Sequence, residues 1–221
     1  IMATPLDLEE QEQLDQLKHF WKQYGNAITW FLIAVLSAFA SWNFYQYWQR
    51  GKAVQAAALF EEVDRSLKSR DDSKVERVFA DIKKEFESTV YAQQAGLQVA
   101  KYYYDTGNIA ATKAALLWVV EKSTDEGYQS IAKLRLSGVL AEERAFAEAI
   151  KLLDSSFAAG FEALALDRKG DIFVLQGQNA EAVTAYNKAY KLSDDRTEYL
   201  RLIEVKLNSL GVNPLADTPA Q

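Results

Sequence analysis

Leu166-Asp-Arg-Lys-Gly170-Asp-Ile-Phe173-Val-Leu-Gln-Gly177-Gln-Asn-Ala-Glu-Ala182-Val-Thr-Ala-Tyr186-Asn-Lys-Ala189 reads as two helices joined at a glycine. Gly170 and Ala182 are small; Phe173 and Tyr186 are large aromatics. Small side chains let the two helices of a hairpin cross closely, and large ones fill the space beside the crossing. Gly177 falls where a helix must end and the chain reverse.

The same slots recur upstream. Ser137, Leu140, Arg144, Ala149, Leu153 and Ser156 hold them one unit earlier, and Ala100, Tyr103, Gly107, Thr112, Leu116 and Val119 in the unit before that. Arg144 replaces the turn glycine, and Thr112 and Ser156 depart from the pattern. The repeated unit resembles the tetratricopeptide pattern, a helix-turn-helix of about 34 residues that is stable only when stacked on its neighbours.

From Lys52 onward the rest of the chain is consistent with such a stack. No proline occurs between Leu6 and Asn213, and no alternating strand-like run is present. Ser73-Lys-Val-Glu76, Ser123-Thr-Asp-Glu126 and Asp195-Arg-Thr-Glu198 each place an N-cap acceptor three residues before a glutamate, the capping-box spacing. Helices are expected at 52–69, 74–87, 90–105, 109–121, 126–143, 146–156, 162–175, 179–191 and 196–209. The first two form a pair with no recognisable repeat, and the last caps the stack.

Ahead of this domain lies a run of different character. Between Gln23 and Gln49 there is no charged residue, and Ala27-Ile-Thr-Trp-Phe-Leu-Ile-Ala-Val-Leu-Ser-Ala-Phe-Ala40 is nearly all apolar. About 20 such residues in a helix span the hydrocarbon of a bilayer. Eight residues from Ile28 to Phe44 are Leu, Ile, Val or Phe; together they favour insertion by about 2–5 kcal/mol, which one lysine near Val35 would largely cancel. Trp21 and Tyr24 on one side, and Tyr45, Tyr47 and Trp48 on the other, suit the two headgroup layers. Ala38-Phe39-Ala40 matches the small-x-small pattern of signal cleavage, but the apolar run is longer than a signal core and aromatics continue past it, so the span is read as retained. Lys18 and Lys22 before it balance Arg50 and Lys52 after it, so charge leaves the orientation open. Leu14, Leu17, Trp21 and Tyr24 share one face of an amphipathic lead-in helix. Within the span, Ala34, Ser37, Ala38 and Ser41 recur at helical spacing and form a candidate face for docking another membrane helix.

The fold expected is therefore all-α: a single N-terminal transmembrane helix followed by an α-solenoid of tetratricopeptide-like hairpins. Residues 1–26 form an amphipathic N-terminal segment, 27–48 the transmembrane helix, 49–210 the helical repeat domain and 211–221 a flexible tail.

Composition removes most chemistry. The net charge is −6 over 221 residues with no basic patch, which argues against nucleic acid. There is no cysteine, and the only histidine is His19. The repeat domain therefore has no thiolate or imidazole for a triad or a metal site. No glycine-rich phosphate loop occurs. Glu142-Glu143 and Asp194-Asp195 are adjacent pairs; neighbours on a helix point apart, so both are read as solvated surface or cap residues. No catalytic residue, cofactor or metal is expected, and the protein is read as non-enzymatic.

Partner recognition is the remaining function class. In stacked hairpins the first helix of each unit lines the concave face. Repeat position places Gln94, Leu97, Lys101, Tyr104 and Asp105 there from one unit. The next contributes Ile131, Leu134 and Glu142, and the last contributes Asp167, Asp171 and Val174. This aromatic, polar and apolar mixture suits peptide recognition. Tyr103 and Trp118 are assigned to the core.

Taken together, the layout resembles the YfgM-type ancillary SecYEG translocon subunit family over roughly Glu10 to Leu210. The resemblance rests on Phe20-Trp-Lys-Gln-Tyr-Gly25, on the single span ending in Tyr45-Gln-Tyr-Trp48, on Tyr91-Ala-Gln-Gln-Ala-Gly-Leu-Gln-Val-Ala-Lys-Tyr102, on Leu134-Arg-Leu136 and on Leu166-Asp-Arg-Lys-Gly-Asp171. It implies a bacterial inner-membrane protein with a cytoplasmic N-terminus, one span and a periplasmic C-terminal domain. The partners implied are the SecYEG translocon, a membrane-anchored prolyl-isomerase-like chaperone and secretory polypeptides passed to periplasmic chaperones. It transfers no catalytic residue. The alternative expectation is a cytosol-facing scaffold for signalling or complex assembly.

Overall fold

The computed structural model describes the backbone of residues 8–193 and 198–214, with side chains from Leu14 onward within those bounds. Its helices are α1 (Leu8–Ser69), α2 (Asp72–Phe86), α3 (Val90–Asp105), α4 (Ile109–Lys122), α5 (Glu126–Glu142), α6 (Phe146–Leu153), α7 (Glu162–Leu175), α8 (Asn179–Leu192) and α9 (Glu198–Ser209). No strand occurs among the described residues. The chain divides into two compact units, Ile1–Lys52 and Ala53–Gln221.

The boundary falls inside α1. Separate helices were expected over 27–48 and 52–69, yet no helix end lies between them. Gln49-Arg50-Gly51-Lys52 contains no proline and no capping signal, and a lone interior glycine costs a helix only about 1 kcal/mol.

In the second unit one backbone device recurs and sets the register. Arg70, Gly107, Arg144, Gly177 and Gly211 all have positive φ, between 54° and 81°. Each turn residue donates its N–H to the carbonyl three residues back, and the next N–H reaches the carbonyl five residues before it. The pairs are Arg70–Leu67 with Asp71–Ser66, Gly107–Tyr104 with Asn108–Tyr103, Arg144–Ala141 with Ala145–Leu140, Gly177–Val174 with Gln178–Phe173, and Gly211–Asn208 with Val212–Leu207. This is the left-handed helix C-terminus of a Schellman motif. From each turn to the next the chain advances by about one tetratricopeptide unit, roughly 34 residues. The first hairpin, unrecognised in the sequence, is therefore a repeat in register, built from the end of α1 and α2. Its slots hold Val63, Ser66, Val75, Phe79 and Ile82, all buried. By the same register α9 is the first helix of a fifth unit.

Packing follows the slots. At Gly170 an added β-carbon would lie 2.4 Å from Cε1 of Tyr186, so only glycine admits that ring against α7. Ala100 and Ser137 occupy the same slot and are fully buried. One buried apolar cluster runs from Ala56 to Ile172, and a second joins Ala182, Tyr186 and Ala189 to Ile203 and Leu207. Phe79 meets Trp118 edge-on, with ring centroids 5.6 Å apart.

Two expected helix starts are corrected. The N-cap of α2 is Asp71, whose carboxylate accepts from Lys74 N at 3.0 Å, and Ser73 lies inside the helix. The N-cap of α5 is Asp125, accepting from the N–H groups of Gly127 and Tyr128; Ser123 instead ends α4. A carboxylate at a helix N-terminus gains from the macrodipole as well as from the hydrogen bond, so it displaces a nearby hydroxyl. The expected start at Asp195 lies outside the described residues.

Helix α6 stops at Leu153 rather than Ser156. Beyond it the backbone bonds to α5: Lys133 Nζ donates to the carbonyl of Ser156 at 2.7 Å, and Ala158 N donates to Ser130 Oγ at 2.9 Å.

Candidate functional site

The first candidate surface is the apolar stretch of α1. It is the one helix among the described residues long and apolar enough to cross a membrane. Its large side chains are exposed, with Phe31 at 68%, Phe39 at 66% and Phe44 at 72%. Ala34, Ser37, Ala38 and Ser41 are exposed too and share one side of the helix. Two polar side chains of the run bond back to their own helix. Thr29 Oγ1 donates to the Gly25 carbonyl at 2.7 Å and Asn43 Nδ2 to the Phe39 carbonyl at 3.0 Å. Such back-bonding satisfies groups that hydrocarbon would otherwise leave bare. Just past the run, Lys52 Nζ sits 3.8 Å from the centre of the Trp48 ring, a cation–π pair suited to a headgroup layer.

The second candidate is a cleft of about 410 Å³ across α3, α5 and α7. Five of the residues expected on the concave face line it: Lys101, Tyr104, Asp105, Leu134 and Glu142. Tyr104 OH donates to the Glu142 carboxylate, at 2.8 Å from Oε1 and 2.9 Å from Oε2. That bond, to an anion, holds the Tyr104 phenol above its ordinary pKa. Lys101 Nζ pairs with Asp105 at 2.6 Å.

The other expected residues lie elsewhere. Leu97 is buried, and its carbonyl accepts from Arg135 Nη1 at 3.2 Å. Gln94 Nε2 donates to Tyr128 OH at 2.8 Å, and Ile131 packs on the core. Val174 is exposed but does not line the cleft. Asp167 and Asp171 face α9, where both bind Lys206.

Arg135, Gly138 and Arg168 line the cleft and were not anticipated. The two arginines are separated by the same offset that relates Ser137 to Gly170. That offset was the available signal. The cleft thus presents guanidinium groups, an ammonium–carboxylate pair and a phenol–carboxylate pair. Groups of this kind can bind and orient a partner through charge and hydrogen bonding, and the repeat domain holds no cysteine or histidine beside them.

The tetratricopeptide repeat-like domain model matches residues 18–212. The chain belongs to the tetratricopeptide repeat-like domain family. Its relatives bear out the resemblance read from the sequence. It is similar to the ancillary SecYEG translocon subunit of Neisseria gonorrhoeae, with 27% identity over 92% of this chain and 98% of the relative. The proteins of the same name from Haemophilus influenzae (26%; 92% and 98%) and Escherichia coli (23%; 92% and 97%) are similar over the same extent. The family match takes in both the apolar stretch of α1 and the repeat register from Arg70 to Gly211.

Proposed function

We propose that this protein is a non-enzymatic, membrane-tethered adaptor that works beside the SecYEG protein-export channel. Residues 27–48 cross the inner membrane and residues 1–26 lie in the cytoplasm. The repeat domain, 49–210, lies in the periplasm, and 211–221 trail from it. The observation that carries this reading is the pairing, in one chain, of an exposed apolar helix with an in-register repeat stack, aligned end to end with relatives named as translocon subunits. Tethering raises the effective concentration of the domain near chains emerging from the channel. The small face of Ala34, Ser37, Ala38 and Ser41 docks on a membrane helix of the channel, and the α3–α5–α7 cleft faces soluble partners. Those partners include a membrane-anchored prolyl-isomerase-like chaperone and secretory chains in transit.

Photo-crosslinkers placed at Ala38 and Ser41 in intact membranes test the tether. Adducts to channel subunits are expected; adducts to lipid alone would overturn the translocon reading. A single cysteine introduced near Asp125, exposed to an impermeant thiol reagent in intact spheroplasts, tests orientation. Labelling is expected, whereas protection would put the domain in the cytosol and favour a scaffold there.

A further inference from the structure

Leu14, Leu17, Trp21 and Tyr24 follow one another at steps of three, four and three residues, and the same register carried through the apolar run reaches Trp42 and Tyr45. Inside the run almost every position is apolar, so the flanks decide the period. From Asp15 to Asn26 the other positions are polar or glycine except Phe20. This is the seven-residue repeat of a helix that packs along another helix. All four side chains are exposed, Leu17 at 64% and Trp21 at 60%. The aromatic rings are held in place by their own helix. A β-carbon at Gly25 would lie 3.1 Å from Trp21 Cε2, so glycine lets the indole lie flat along the next turn. The Phe20 and Tyr24 rings pack beside each other, with centroids 5.1 Å apart.

Lipid does not cover this stripe along its length. Helix α1 runs unbroken from Leu8 through Asn26 into the apolar run, so the lead-in continues the course of the span. Leu14 precedes Ala27 by thirteen residues, which is about 20 Å at about 1.5 Å per residue. A headgroup layer is about 5–8 Å deep, so Leu14 and Leu17 stand in water. A strict seven-residue repeat also winds round a straight helix by about 20° per heptad. Only a partner that winds with it, a helix of the same period, can follow the stripe. A second copy necessarily has that period, and two copies crossing the membrane in one direction lie parallel. Charge permits the pairing. Asp15, Lys18 and Lys22 lie off the stripe, and Lys18 is paired with Asp15 of its own helix at 3.2 Å. With Phe20 included, five side chains offer about 100 Å² each. Two copies thus cover about 1,000 Å² ahead of the span, where specific interfaces begin.

We infer that the lead-in helix pairs with the lead-in helix of a second copy of this chain, parallel and in register along Leu14, Leu17, Trp21 and Tyr24. A pair carries two repeat domains, which doubles the partner-binding surfaces held at one point of the membrane. The face of Ala34, Ser37, Ala38 and Ser41 lies about a third of a turn round the helix from the lead-in stripe, so a channel helix and a second copy occupy different sides. The inference rests on residues 27–48 crossing the membrane, and not on which other proteins lie beside them.

The chain has no cysteine, so single introduced cysteines report contacts cleanly. In membranes holding the full chain, each position from Leu14 to Tyr24 is replaced by cysteine in turn and oxidised with copper phenanthroline. Disulfide-linked dimers should peak at Leu14→Cys, Leu17→Cys, Trp21→Cys and Tyr24→Cys, and fall several-fold at Gln16→Cys, His19→Cys and Gln23→Cys. Leu17→Asp should cut the yield at Tyr24→Cys about tenfold, because it sets two unpaired carboxylates in the seam. Gln16→Asp, with the same charge off the stripe, should leave it unchanged. A photo-crosslinker at Leu17 should give adducts to a second copy. Uniform disulfide yields along the helix, no dimer at any position, equal effects of the two aspartates, or photo-adducts only to lipid or to another protein each overturn the inference. Any of those results alongside intact channel adducts from Ala38 would leave the tethered adaptor standing; periodic disulfides without channel adducts would do the reverse.

Discussion

Lys206 of α9 places its Nζ 2.8 Å from both carboxylate oxygens of Asp167 on α7 and 2.7 Å from Asp171 one turn further along. Asp167 is 6% exposed and takes a further hydrogen bond from Tyr199 OH, and Asp171 takes one from Tyr186 OH. Two acids that would repel each other are thus fixed by one cation and two phenols. The network ties the first helix of the fourth unit to the first helix of the fifth. It explains how α9 is held in register without a partner helix of its own among the described residues.

Removing the cation strands a buried carboxylate. Lys206→Met is expected to destabilise the repeat domain by about 3 kcal/mol, the low end of the range for breaking a buried pair, because Tyr199 still donates to Asp167. Adding Asp167→Leu should recover much of that loss, since an apolar replacement leaves no orphaned charge. Thermal unfolding of the three variants followed by circular dichroism measures both effects. A double variant no more stable than Lys206→Met would show that the pair contributes nothing beyond packing.

The same network gives the protein an alkaline limit. Burial first, and then the bonds to Asp171 and Asp167, raise the phenols of Tyr186 and Tyr199 well above their ordinary 10.0. The unfolded chain releases these protons near pH 10, while the folded chain keeps them. Their contribution is therefore complete below pH 10 and lost as pH climbs toward the folded values. For Tyr186, 2% exposed, the loss has a slope of about 1.4 kcal/mol per pH unit in that window. Tyr186→Phe and Tyr199→Phe should each flatten the fall in denaturation midpoint above pH 10. Slopes equal to wild type would refute the assignment.

Which features were legible depended on how local their causes are. The bounds of α3, α7 and the start of α8 follow from turn glycines and repeat slots close by in the chain, and the structure places them as expected. The end of α6 was not readable, because Lys133 and Ser130, on the preceding helix, take over the backbone beyond Leu153. The first hairpin was hidden because Val63 and Val75 fill slots that Gly170 and Ala182 hold in the last unit, and Arg70 stands in for the turn glycine. In the cleft, Tyr104 and Glu142 could be placed by repeat position alone. Asp167 and Asp171 share such positions too, but their cation lies on another helix, at a sequence distance no local pattern reports.

Steric closure at Gly170 sets a prediction whose sign opposes helix propensity. Gly→Ala inside a helix normally gains about 1 kcal/mol. At Gly170 the new methyl would meet Cδ1 and Cε1 of Tyr186, 2.5 and 2.4 Å away, and the ring cannot retreat from a packed interior. Gly170→Ala should cost about 1–3 kcal/mol. Gly51→Ala, where a β-carbon meets nothing within 4 Å, should not destabilise. Tyr186→Leu in the Gly170→Ala background should restore part of the loss. Equal midpoints for the two alanine variants would refute the close crossing.

The last prediction concerns the turns that set the register. Arg144 has φ 61°, in a slot that Gly107 and Gly177 fill at 80° and 72°. A non-glycine residue in the left-handed region costs about 1–2 kcal/mol, and glycine avoids this at some cost in unfolded-chain entropy. Arg144 is exposed and makes no side-chain hydrogen bond or ion pair among the described residues, so nothing offsets the strain. Arg144→Gly should therefore stabilise the domain by up to about 1 kcal/mol, whereas Gly177→Ala should destabilise it by a similar amount. If one left-handed turn governs every unit, Arg70→Gly must shift the midpoint in the same direction as Arg144→Gly. Opposite shifts, or a gain at Gly177→Ala, would mean that the five turns are not equivalent and that the register is set by core packing alone.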